Sequence, residues 1–141
     1  MDPKHDVSTF RLYLLRAMYL LILAGLAVEI WPLILHPPQD LQLMRGVVWS
    51  VLTAVSLLAA LGIRYPLRML PLLFFEFLWK TIWMLAIGLP RRSAGPLDTA
   101  TAETFFAVLM GVVLVPLVLP WRYVWENYIK APGDRWGRAK P

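Results

Sequence analysis

Apolar positions in this chain gather into four long runs, at residues 12–35, 44–63, 66–89 and 101–119, parted by short polar or proline-rich breaks. Each run is close to the roughly 20 apolar residues that carry a helix across the hydrocarbon of a bilayer. The expected fold is therefore all-α: a polytopic membrane protein built as a four-transmembrane-helix bundle. Residues 1–130 form one membrane domain and residues 131–141 a basic tail. The first run ends at the breaker His36-Pro37-Pro38. The third opens on Pro66, a residue suited to a first helical turn, and closes near Leu89-Pro90. Asp98, Thr99 and Thr101 offer caps for the fourth, and Glu103 suits the positive end of its dipole. The fourth helix is expected to continue through Trp121 to Ile129. Pro32, Pro71, Pro116 and Pro120 should kink the helices, which membrane helices tolerate when neighbours satisfy the freed carbonyls. The connections are short, so consecutive helices should pack as antiparallel neighbours.

Composition strengthens this picture. Hydrophobic residues make up 59% of the chain and mean hydropathy is +0.60, which excludes an ordinary soluble domain. There are no cysteines, so disulfides, thiolate metal sites and cysteine nucleophiles are excluded. The first run is too long for a signal-peptide core and no small-residue cleavage site follows it. It reads as an uncleaved helix.

Charge adds an orientation. The net charge is +5, and the basic residues lie in loops beside apolar runs, so anionic lipid headgroups rather than nucleic acid are the expected partner. With four spans, Lys4, Arg11, Arg16, Arg64, Arg68, Arg122, Lys130, Arg135, Arg138 and Lys140 share one side, against Arg45, Arg91 and Arg92 on the other. The positive-inside rule then predicts an inner-membrane protein with both termini cytoplasmic. Trp31 and Trp49 fall near the outer boundary. Trp121, Tyr123, Trp125 and Tyr128 fall near the inner one, as interfacial aromatics should.

Candidate chemistry is sparse. Glu76 and Lys80 sit one turn apart within the third run, in the favourable Glu-before-Lys order. Two independent central charges cost roughly 5–7 kcal/mol on insertion scales, while the twelve Leu, Ile and Phe residues of this run return about 4–7 kcal/mol. Insertion is thus near balance unless the charges compensate each other or face protein. Depth along the first helix brings in Glu29, whose face also carries Met18, Ile22 and Gly25. A Glu29–Lys80–Glu76 cluster is expected, with Gly25 allowing close approach of another helix. Thr53 and Ser56 are candidates for hydrogen-bond support, or simply for close packing together with Gly46, Ser50, Ala54 and Ala60. Arg16 is a weaker member, expected to snorkel to the inner headgroups.

Phe74, Phe75, Phe77, Trp79 and Trp83 surround the third helix. They either pack and face lipid or line a site for a lipid or quinone. His36 is a candidate ligand for a haem or pigment, although a helix-end polar residue is the commoner role, and His5 lies in the N-terminal segment. No paired histidines, metal cluster, phosphate loop or nucleophile motif occurs. The run from Pro66-Leu-Arg-Met-Leu-Pro71 to Glu76-Phe-Leu-Trp-Lys80, with Pro120-Trp-Arg-Tyr-Val-Trp125 and Pro132-Gly-Asp-Arg-Trp136, resembles small four-helix inner-membrane proteins of bacteria. That resemblance implies a fold and no activity. No cofactor is identified, though a bound lipid, quinone or pigment fits the composition. The leading expectation is a non-catalytic accessory or assembly subunit that has a protein partner or is a homo-oligomer. The alternative is a small proton-coupled transporter or apolar-ligand binder using Glu76 and Lys80.

Overall fold

The computed structural model describes residues 7–138, so Lys4, His5 and Lys140 lie outside the described residues. Among those described, the chain is all-helical, with four helices long and apolar enough to cross a membrane. α1 spans Thr9–Glu29, α2 Trp31–Leu35 and α3 Leu43–Arg64. α4 spans Leu70–Trp83 and runs on through a wide π turn, Met84–Gly88, into α5, Leu89–Ala94. α6 spans Thr99–Val118. α7, Trp121–Val124, passes into a second π turn at Trp125–Ile129.

Prolines set most of the departures from the expected boundaries. The first helix does not run unbroken to residue 35. Pro32 has no N–H and its ring crowds the preceding turn, so the chain breaks at Ile30 and Pro32 falls in the first turn of α2. Pro66 does not start the third helix. Residues 66–69 are turns, and Pro71 occupies the first turn instead. The same helix does not stop at Leu89. Leu89 N–H bonds to Met84 C=O, five residues back, and that widened turn admits Pro90 without a break. The helix therefore ends at Ala94, and Arg91 and Arg92 occupy its last turn, where cations suit the dipole. α6 passes through Pro116 but ends before Pro120 with Leu119 extended, as the residue before a proline prefers. The expected continuation to Ile129 is thus a separate helix. Residues 131–138 carry no helix and are exposed.

The seam between α1 and α3 is the tightest in the bundle. Leu15, Met18, Tyr19 and Ile22 meet Val55, Ser56, Ala59 and Gly62, each set spaced by three or four residues along one face. Small residues there let the backbones approach. They are Ser56, Ala59 and Gly62 rather than Ala54 and Ala60, which are exposed. Tyr19 is fully buried. Its ring lies on Gly62 and its hydroxyl donates to Pro66 C=O at 2.8 Å.

Large apolar side chains such as Phe10, Val28 and Leu43 are 73%, 77% and 89% exposed. Helices that are apolar all round, with such side chains facing outward, are what a hydrocarbon solvent requires. The arrangement is that of a multi-pass membrane protein.

Two outcomes follow from these contacts. A Cβ at Gly62 would overlap the Tyr19 ring, so Gly62→Ala is expected to destabilise the fold by about 1–3 kcal/mol in mixed-micelle unfolding. Gly25→Ala, where a Cβ meets nothing within 4 Å, is expected to stabilise it by about 0.5–1 kcal/mol. Asp98 caps α6, and hydrogen bonds from the Thr101 hydroxyl and N–H hold its carboxyl below the usual carboxylate range. Its contribution is present at neutral pH and is lost as pH falls through that depressed value. The difference in Tm between the native chain and Asp98→Ala should therefore be small but measurable at pH 7, and should vanish in acid.

Candidate functional site

Glu76 points inward and is 2% exposed. Both of its oxygens are satisfied from within the next turn of α4. Trp79 Nε1 donates to Oε1 at 3.1 Å, and Lys80 Nζ lies 2.8 Å from Oε2. Lys80 Nζ also sits 5.5 Å from the centre of the Trp79 ring, within cation–π range. Spacings of three and four residues put all three side chains on one helical face. The Lys80 stem then crosses to α6 and lies on Gly111, where a Cβ would stand 2.6 Å from both Cδ and Nζ. Gly111 is thus the slot that takes the lysine.

The group forms part of the wall of a cleft of about 440 Å³ between α1, α4 and α6. One wall is Met18, Ile22, Gly25 and Glu29 of α1. The facing wall is Leu114, Gly111, Ala107 and Glu103 of α6. The two series run antiparallel, so Glu29 and Glu103 come to the same end, and both are exposed. At the opposite end the helices are joined by Arg11 Nη1, which donates to Leu117 C=O at 2.6 Å. The cleft itself runs from Met18 and Leu114 to a rim that carries the two carboxylates. Its middle is apolar, except where Lys80 and Glu76 reach it.

The expected cluster is only partly assembled. Glu29 lines the same cleft as the pair but makes no ion pair within 4.0 Å; among the described residues the salt bridges are Lys80–Glu76 and Arg122–Glu126. Lys80 turns across α6 rather than toward α1, and Glu29 is the last residue of its helix, ahead of the break. Gly25 borders open space instead of a close helix contact. Thr53 and Ser56 do not support the pair. Thr53 Oγ1 donates to Trp49 C=O at 2.8 Å. Ser56 Oγ accepts from Trp31 Nε1 at 2.8 Å and donates to Thr53 C=O at 2.9 Å, pinning α2 to α3. Arg16 stays out of the cluster, and its Nε donates to Ile63 C=O at 3.0 Å. His36 is exposed at the end of α2, and among the described residues no three His, Cys, Asp or Glu side chains are grouped to hold a metal.

Gly111 and Glu103 are site residues that pattern reading missed, and Trp79, read there only as one of several aromatics that could line a lipid site, was missed as a donor to Glu76. Trp79 was legible three residues beyond Glu76, as a buried indole needs an acceptor. Gly111 stood out only as a lone glycine in an apolar run. No family model matches the chain, and neither does a curated protein or a solved structure.

The coupling inside the group is measurable by a double-mutant cycle in micelles. Lys80→Met alone leaves a buried carboxylate short of its cation and is expected to cost about 3 kcal/mol or more. Combining it with Glu76→Gln should recover at least half of that loss. Strictly additive losses would show that the two side chains do not act together.

Proposed function

We propose that this is a non-catalytic membrane protein that binds a hydrophobic molecule with a polar end in the cleft between α1, α4 and α6. The observation that carries the reading is the cleft itself. Its volume of about 440 Å³ lies within the range of roughly 300–1,000 Å³ typical of small-molecule sites, and mostly apolar walls with a few convergent polar groups are their usual lining. Lys80, Glu76 and Trp79 would meet the polar end of the guest. Met18, Ile22, Leu26 and Leu114 would meet its apolar part. A lipid or quinone from the bilayer fits this description.

Localisation in a bacterial inner membrane, with both termini cytoplasmic, is the reading that the ten-to-three distribution of basic residues between the two sides supports. A role as an accessory or assembly subunit is the second reading. It is favoured by α6, whose Phe106 and Leu117 are 67% and 64% exposed and would suit a partner helix as well as they suit lipid.

Gly25→Leu tests the first reading. A Cβ at Gly25 meets nothing within 4 Å and Gly25 lines the cleft, so a leucine there is expected to fill the cleft and leave the fold as stable as the native one. An environment-sensitive alkyl fluorophore should bind the native protein saturably and lose most of its affinity, tenfold or more (about 1.4 kcal/mol), for the variant. Equal binding by a well-folded variant would sink the proposal. A stoichiometric protein partner after gentle detergent extraction would instead support the accessory role.

A further inference from the structure

The short connection between α3 and α4 carries an arrangement that the cleft does not explain. The guanidinium carbon of Arg64 lies 5.4 Å from the centre of the Tyr65 ring, and that of Arg68 lies 5.5 Å from the same ring. A third guanidinium, that of Arg16, is bonded to the carbonyl of Ile63, the residue before Arg64, and lies over the ring of Tyr13. Among the described residues none of the three has a carboxylate within 4.0 Å. Arg64 ends α3, where a cation suits the dipole. Arg68 has no such structural role.

The connection is held from beneath. Pro66 and Leu67 are buried, and the Tyr19 hydroxyl anchors Pro66 C=O. The shared ring and the pinned backbone hold both side chains at this one short connection, and Arg64 and Arg68 themselves remain exposed. Guanidinium forks match phosphate oxygens in pairs. The connection joins two membrane-length helices, Leu43–Arg64 and Leu70–Ala94, which puts these cations at headgroup depth.

We propose that Arg64 and Arg68, braced on Tyr65, with Arg16 bonded to the same helix end, form a binding site for the phosphate of an anionic phospholipid headgroup. The charge is complementary, and basic clusters between transmembrane helices are where such headgroups bind. This proposal is independent of the cleft.

The test uses the full chain, delipidated in neutral detergent and titrated with phosphatidylglycerol or phosphatidylcholine, with bound lipid counted by native mass spectrometry. Phosphatidylglycerol is expected to bind, and phosphatidylcholine much more weakly. Each basic residue near a membrane surface is worth about a fivefold factor, so Arg64→Gln with Arg68→Gln should weaken phosphatidylglycerol binding about 25-fold. Arg135→Gln, in the exposed tail, should change little. Should the double variant not fold, Arg68→Gln alone carries the test with about a fivefold loss. Unchanged phosphatidylglycerol binding in a folded variant overturns the proposal. So does equal retention of phosphatidylcholine, and so does inorganic phosphate competing at the lipid's own concentration, which would mark a free-anion site.

Discussion

A carboxylate in the middle of an apolar helix has few ways to be tolerated, and the one used by Glu76 shapes the bundle around it. Two donors come from the next turn of the same helix, the Trp79 indole and the Lys80 ammonium. Local satisfaction removes the need for a partner on another helix, which is the least expensive arrangement where water is scarce. It leaves the long lysine stem to be housed. Gly111 of α6 supplies the room, so α4 and α6 pack through a lysine laid on a glycine. α1 then stands away from this contact, and the cleft is the space between.

The two tightest seams depend on glycine for the same reason. Tyr19 lies on Gly62 as Lys80 lies on Gly111. In each case one helix contributes a long side chain with a polar tip, and its neighbour contributes a position without a Cβ. The tip then finds an acceptor, the Pro66 carbonyl for Tyr19 and the Glu76 carboxylate for Lys80. Close backbone approach and polar bonding take the place of a hydrophobic driving force, which lipid does not provide between helices. Glycine at Gly25, by contrast, faces open space, and that difference separates a packing glycine from one that borders a site.

Ion pairing was far less widespread than the sequence implied. Glu29, Thr53 and Ser56 were plausible members of one polar cluster by depth, and Arg16 a weaker one expected to snorkel. The folded chain spends them separately: Arg16 on a helix-end carbonyl, Ser56 on the Trp31 indole, Thr53 on its own helix, Glu29 at an exposed rim. Depth along an axis does not fix rotation about it, and a side chain takes the first acceptor within reach. The face of α1 carrying Met18, Ile22, Gly25 and Glu29 nevertheless borders the same cleft as the pair.

Local chemistry alone determined much of this protein. Four apolar runs dictated four helices, because unsatisfied backbone in hydrocarbon is prohibitive. Residues 76 and 80 were bound to meet, because one turn of helix brings them together. Boundaries were legible to within one residue at both ends of α3 and to within three at the starts of α1 and α6. They shifted by four or five residues where Pro71 and Pro90 competed with Pro66 and Leu89 for the helix ends. Tertiary structure alone decided that Lys80 lies on Gly111, that Ser56 belongs to Trp31, and that α1 and α6 part to leave a cleft. Those outcomes depend on the rotation and spacing of helices far apart in the chain, which periodicity within one helix does not contain.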